Sequence, residues 1–231
     1  MTEHILDRPV WNALRTGWAN IAQTSGQAGE VVRLNPDFGP FAAMADSAPD
    51  TAVILKNFIP EDGEFWLVES EPALANPAGL VPVRQAELVQ MLATDIRGNG
   101  AALDIVPLDE EEAAEMLALA TLTKPGPFAR HTNRLAEFVG IKDDGRLVAM
   151  CGERMQLPGY SELSGLCTLP DYRGRGYGAG LMRYVSRRIL ERGDTVFLHA
   201  YAANTATVAL YESLGFAIRT RVTTSIFARG D

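Results

Sequence analysis

Between Leu166 and Met182 the chain reads Leu-Cys-Thr-Leu-Pro-Asp-Tyr-Arg-Gly-Arg-Gly-Tyr-Gly-Ala-Gly-Leu-Met. An apolar run stops at a proline, arginine alternates with glycine, and a helical pattern opens at once. Glycines at 174, 176 and 178 let the main chain approach a ligand with no Cβ in the way. The helix that follows starts with free N–H groups and the positive end of its dipole, which suits an anion. Arg173 and Arg175 add charge-assisted donors. The stretch reads as a phosphate cradle set between a strand and a helix.

Two familiar cradles are excluded by the residues. Gly174, Gly176 and Ala179 have dinucleotide-fingerprint spacing, but that motif needs a carboxylate at the end of the next strand. The next strand pattern, Thr195–Ala200, ends without one. A P-loop needs Gly-Lys-Ser/Thr, and the chain contains no such tripeptide.

With 231 residues, 47% of them hydrophobic, the chain can bury a substantial core. It is long for one domain and comfortable for two, and the break at Arg97-Gly98-Asn99-Gly100 divides it into 1–98 and 99–231. Lys and Arg number 21 against 29 Asp and Glu, a net charge of −8, which argues against nucleic acid bound through bulk charge. Cys151 and Cys167 are too few for a disulfide framework or a metal site, so no metal is expected and reduced thiols in a cytoplasmic setting are. No apolar run approaches 18 residues and no basic region precedes an apolar stretch at the start, so neither a membrane span nor a secretory leader is expected.

In the first part, a helix is expected from Asp7 and Pro9, with Trp11, Leu14, Trp18 and Ile21 on one face. Strands are expected at Val31–Leu34, Thr51–Leu55 and Glu64–Glu69, with a turn at Glu61-Asp62-Gly63. A proline-bearing loop over 71–82 should precede a helix at Val83–Thr94. In the second part, Leu103–Val106 reads as a strand. Asp109 and Glu112 have capping-box spacing, so the acidic run there opens a helix rather than binding a metal. Strands follow at Leu135–Lys142, Arg146–Arg154 and Tyr160–Thr168. After the glycine loop come an amphipathic helix carrying Leu181, Met182, Val185 and Ile189, the strand Thr195–Ala200, a helix over Thr205–Leu214 stopped by Gly215, and strand structure in Phe216–Ala228.

The hexapeptide Arg173-Gly174-Arg175-Gly176-Tyr177-Gly178 resembles the pyrophosphate loop of the GNAT superfamily of acetyl-CoA-dependent N-acyltransferases, whose pattern is Gln/Arg-x-x-Gly-x-Gly/Ala. A second resemblance follows in the right order: Asn204, then Tyr211, then Gly215-Phe216. Thr207 departs from the alanine more usual in the family. The resemblance covers roughly residues 100–231. It implies an α/β fold with a mixed, mostly antiparallel central sheet flanked by helices, whose central strands splay to admit the cofactor. The first 98 residues would form a smaller α/β lobe, a degenerate GNAT-like half.

The resemblance also implies roles. Acetyl-CoA would be the acyl donor, held by Arg173, Gly174, Arg175, Gly176, Tyr177, Gly178, Ala179 and Asn204. A backbone N–H from Leu166, Cys167 or Thr168 would polarise the thioester carbonyl. Glu162, eleven residues before Arg173, matches the glutamate base of the histone-acetylating branch, with Glu153 as runner-up. Tyr211 matches the general acid that meets the departing sulfur. Transfer would be direct, with Cys167 inert in its strand; His199 could face the cleft, but by its place in the strand it is expected in the core. The expected activity is transfer of an acetyl or short acyl group from acyl-CoA to a primary amine, on a small-molecule or amino-acid-like acceptor or a peptide, by a monomer or homodimer. The alternative is a non-catalytic acyl-CoA-binding sensor or partner module, which the presence of both Glu162 and Tyr211 disfavours. The loop Lys124–Arg134, with Lys124, Arg130, His131 and Arg134, and the turn at Pro158-Gly159 are expected on the acceptor side, where positive charge would suit an amine bearing an anion.

Overall fold

The computed structural model describes residues 4–25, 29–59, 63–70, 80–100 and 102–230. The turn expected at 61–62 and most of the proline-bearing loop, 71–79, lie outside them. Eight strands form the main sheet: β4 (Glu64–Glu69), β5 (Leu80–Ala93), β6 (Val106–Leu108), β7 (Phe138–Asp143), β8 (Arg146–Leu157), β9 (Tyr160–Thr168), β10 (Thr195–Tyr201) and β11 (Ala217–Arg229). Their spatial order is β4-β11-β5-β10-β9-β8-β7-β6. Neighbours run antiparallel except β9 and β10, which are parallel. The expected mixed, mostly antiparallel sheet is what forms. Strands from both sides of residue 98 share it, so β4 and β5 complete the sheet that the later strands begin.

The period-2 alternation of the strands divides the core in two. Val89, Met91 and Ala93 of β5 and Val196, Leu198 and Ala200 of β10 face a layer containing α3 (Ala113–Thr123) and α4 (Tyr177–Glu191). Leu88 and Leu92 of β5, Phe197 of β10 and Val222 of β11 face the other way, onto α1 (Pro9–Arg15) and a small sheet of β1 (Ala22–Ser25), β2 (Val31–Leu34) and β3 (Ala42–Met44). The first residues therefore form a second layer across one face of the sheet. Trp18, 1% exposed, anchors that layer and donates its indole N–H to the Arg154 carbonyl at 3.1 Å.

Two expected elements are corrected. Val83–Thr94, read as a helix, belongs to β5, because pairing with β10 on one side and β11 on the other outweighs its Gln, Glu, Leu and Met content. Thr51–Leu55, read as a strand, lies in α2 (Pro49–Phe58), which starts on a proline at its first turn and buries Thr51, Ala52 and Leu55. The strand expected at Leu103–Val106 forms later, as β6. Just before α3 the Asp109 N–H donates to Glu112 Oε2 at 3.0 Å, the expected pairing, but Glu112 and not Asp109 occupies the N-cap position of the helix.

Candidate active site

Strands β9 and β10 are paired only from Tyr160 to Glu162 against Thr195 to Phe197. Beyond Glu162 they diverge. A cavity of about 270 Å³ opens in the gap, lined by Leu163–Leu166 on one side and Leu198–Tyr201 on the other. Leu198 and Ala200 belong to the helix-covered face and His199 and Tyr201 to the face under the first layer, so the cavity passes through the sheet. The first layer contributes Phe41 to its lining, and β4 and β5 add Trp66, Val68 and Leu88.

A bulge shapes the mouth. Cys167 pairs with Met150 and Ser164 with Gly152, so Gly165 and Leu166 together oppose the single residue Cys151. Gly165 has φ +65°, and a Cβ there would lie 2.7 Å from the Phe138 ring. Of the three residues expected to offer a backbone N–H to the thioester, Leu166 lines the cavity, while Cys167 and Thr168 are back in the ladder opposite Met150 and Ala149. Burial pushes the Cys167 thiol up to about 11, which leaves it a poor acyl carrier.

The glycine loop lies exposed at the start of α4. Gly176 caps the helix with φ +80°, and no side chain accepts from the first-turn N–H groups. A Cβ at Gly174 or Gly176 would meet nothing within 4 Å, and one at Gly178 only Leu166 Cδ1 at 3.9 Å. Room and uncapped donors suit a pyrophosphate. Arg175 lies over the Tyr172 ring at 4.5 Å and donates to the Asp171 carbonyl, and Arg173 donates to the Thr168 carbonyl at 3.4 Å. Ala179 sits one turn in, partly buried against the core. Tyr177 packs there too.

Asn204 and Tyr211 approach the cavity from α5 (Thr205–Ser213). Asn204 is the helix N-cap, its Oδ1 accepting from the Thr207 N–H at 3.2 Å. Its side-chain amide donors are left for a ligand. Burial pushes the Tyr211 phenol up to about 12, so it holds its proton across the working pH range.

Glu162 departs from the role expected of it. Its carboxylate is 1% exposed, accepts from Arg154 Nε and Nη2 at 2.8 Å each, and takes a third bond from His199 Nδ1 at 2.8 Å. Burial alone would raise its pKa, but the Arg154 charge and these donors hold it down at about 2. A carboxylate so committed is a weak base. Arg154 reaches it from a bulge in β8, where Arg154 and Met155 together oppose Glu162. Nothing in the sequence marks that bulge. His199, expected to be an inert core residue, links Glu162 to Gln90, whose Oε1 accepts from Arg219 Nε and whose Nε2 donates to the Leu6 carbonyl at 2.9 Å. That fixes the amide, so Gln90 Nε2 also donates to His199 Nε2 at 3.0 Å and His199 carries its proton on Nδ1. Arg219 continues to Asp7 of the first layer at 2.6 Å.

Glu153, the runner-up, lies away from the cavity in a two-bond pair with Arg192. The expected acceptor cations also disperse. Arg134 pairs with Glu110 and His131 meets the Phe38 ring edge-on. Lys124 lines the cavity; Arg130 does not. Pro158-Gly159 sits at the paired end of β9 and β10, where the Gly159 carbonyl accepts from Thr195, remote from the mouth. Among the described residues, no group of His, Cys, Asp or Glu could hold a metal ion, and no helix is long and apolar enough to cross a membrane.

Comparison with known proteins bears on this geometry. The model of the FR47-like protein family matches residues 138–225, from β7 into β11. A solved GNAT-family structure from Novosphingobium aromaticivorans DSM 12444 is 42% identical, the match covering 99% of this chain and 100% of that one at a TM-score of 0.87. The chain belongs to the GNAT family of acetyltransferases. N-alpha-acetyltransferase RimI of Mycobacterium tuberculosis is 34% identical over 116 residues, 47% of this chain and 72% of that GNAT relative. The [ribosomal protein bS18]-alanine N-acetyltransferase of Escherichia coli K12 is 44% identical over 48 residues, 20% of this chain and 32% of that enzyme. The match thus spans about a third of the latter's length. GNAT acetyltransferases use acetyl-CoA as cosubstrate.

Proposed function

We propose that the protein transfers an acetyl group from acetyl-CoA directly to the primary amine of a small molecule. The observation that carries this is the cavity through the sheet, lined by Tyr211 and Asn204 of the α5 region and by Phe41 of the first layer. The glycine loop and the first turn of α4 would hold the pyrophosphate, and Asn204 the pantetheine arm. When bound, the cosubstrate supplies the activated acyl carbon. The bulge at Gly165-Leu166 frees a main-chain N–H to stabilise charge developing on the carbonyl oxygen.

The amine enters neutral, because Glu162 is already paired and protonates only near pH 2. Its nitrogen bonds to the acyl carbon as the C–S bond breaks. Tyr211 gives its proton to the departing sulfur, the new ammonium loses one to solvent, and Tyr211 recovers its own from solvent. The size of the cavity favours a small acceptor over a folded protein surface. Thiol release from acetyl-CoA over a panel of small amines and peptides tests the reading. No thiol release with any amine, together with tight acetyl-CoA binding, would instead support a sensor.

A further inference from the structure

The acceptor end of the cavity has a charge and a polarity of its own. The ionisable lining of the whole cavity consists of Lys124, Arg154 and Glu162, besides His199 and Tyr residues, which leaves one net positive charge on a chain whose overall charge is −8. Glu162 has three of its roughly four lone-pair sites filled and its charge matched by Arg154, which makes it a poor receptor for an ammonium group. Arg154 turns Nε and Nη2 toward Glu162 and donates nothing through Nη1, the edge that faces away from that pair. Thr224 also lines the cavity; it is 1% exposed, and its hydroxyl has no hydrogen-bond partner among the described residues. A buried hydroxyl without a partner is uncommon and calls for an explanation. The remaining walls at this end, Phe41, Trp66, Val68 and Leu88, are apolar.

We infer that the acceptor is a small primary amine bearing a carboxylate on an apolar body, with the carboxylate held by Arg154 Nη1 and Lys124. This rests on the acetyl-transfer reading above and adds the substrate class. A monoanion matches the single net positive charge, whereas a polyamine would bring like charge into it and a phosphate dianion would exceed it. Thr224 supplies the remaining hydrogen bond to the acceptor, and the aromatic and aliphatic walls take its apolar body. The first layer thereby acquires a role in specificity, since Phe41 lines the chamber and lies under the Arg154 guanidinium at 4.8 Å.

The test compares alanine, leucine and phenylalanine with their amides, and with 1,4-diaminobutane, by thiol release in wild type, Lys124→Gln and Thr224→Val proteins. The free acids should exceed their amides in kcat/KM by roughly tenfold or more, the size of one charge-assisted hydrogen bond. Leucine or phenylalanine should exceed alanine. Lys124→Gln should narrow the acid-to-amide ratio, and Thr224→Val should raise the acceptor KM while leaving the acetyl-CoA KM in place. Amides or diaminobutane serving as well as the acids would overturn the inference while leaving the acetyl-transfer reading intact. If no acceptor releases thiol, calorimetry decides with N-acetylphenylalanine and its amide on the CoA-loaded protein. Equal affinity, or none for either, overturns the inference. Failure of the wild-type protein to bind CoA at all overturns the acetyl-transfer reading itself.

Discussion

Arg154 and Glu162 meet through two parallel hydrogen bonds of 2.8 Å, at the place where β9 leaves β10. The pair is nearly dry, with side chains 11% and 1% exposed. Charges taken out of water repay their desolvation only when the geometry is good and the remaining lone pairs are filled. Here His199 fills one of them. The consequence for function is that the carboxylate at the fork of the two strands anchors the cavity wall instead of collecting protons.

The first prediction concerns stability against pH. The folded-state pKa of Glu162 lies near 2, below its ordinary value of 4.5. Its contribution is therefore fully present above about pH 4.5 and is lost as pH falls towards 2. Urea melts across pH 2 to 6 should show this acid limb, flattened in Glu162→Gln. At pH 7, Arg154→Ala should cost about 3–5 kcal/mol by stranding a buried charge. The double variant Arg154→Met with Glu162→Gln should cost less than the Arg154→Ala single. A double variant less stable than that single would show that the pair contributes net stability.

A second prediction concerns rate against pH. With Glu162 ionised throughout, the rise of kcat/KM with pH should follow the acceptor amine's own pKa. Replacing one acceptor with an analogue of lower amine pKa should move the limb down by the same interval. A limb that stays fixed across acceptors would point to an enzyme group acting as base.

The loop permits a cleaner test at Gly178 than at Gly176. Gly176 has φ +80°, so a valine there strains the backbone by about 1–2 kcal/mol as well as filling the cradle. Gly178 has an ordinary helical φ and open space around it. Gly178→Val should keep its melting temperature and lose acetyl-CoA affinity by calorimetry. Undiminished affinity in that folded variant would remove the loop from the binding site.

What the sequence made legible follows from how local each signal is. The glycine loop, α4, β9, β10 and α5 are each specified by neighbours within a turn or two, so pattern and spacing place them closely. The stretch 83–94 is different, because its strand state depends on β10 and β11, which lie about a hundred residues away. Thr51–Leu55 misled in the other direction, its β-branched residues sitting in a helix that packs on the small sheet. Tyr211 and Asn204, singled out by their motif, both line the cavity. The Arg154 clamp was not legible, since a bulge in β8 aims it, and bulges leave little trace in one sequence. Gly165, one glycine inside an otherwise continuous strand pattern, marks the other bulge, in β9, and not the one that aims Arg154.

Gly165 yields the fourth prediction. An alanine there would have to adopt φ +65° and to place its Cβ 2.7 Å from the Phe138 ring. The easier outcome is closure of the bulge, which would return Leu166 to the ladder and withdraw its N–H from the cavity. Gly165→Ala should therefore lower kcat more than it raises the acetyl-CoA KM, with a loss of stability seen separately by thermal melt. Full kcat in the variant would detach the bulge from carbonyl polarisation.

The last prediction isolates the proton delivered to sulfur. Tyr211 lies in the cavity wall with its hydroxyl proton retained to about pH 12. Its ring lies 6.2 Å from that of Phe216 at a tilt of 52°, and this packing does not depend on the hydroxyl. Tyr211→Phe should thus melt as wild type does and bind acetyl-CoA with little change. Its kcat should fall by about 10²–10⁴, the range general acid catalysis commonly supplies. The deficit should shrink when the donor carries a thiol of lower pKa, because a better leaving group needs its proton less. A deficit that is the same for every donor would assign Tyr211 to positioning the thioester, with water protonating the sulfur.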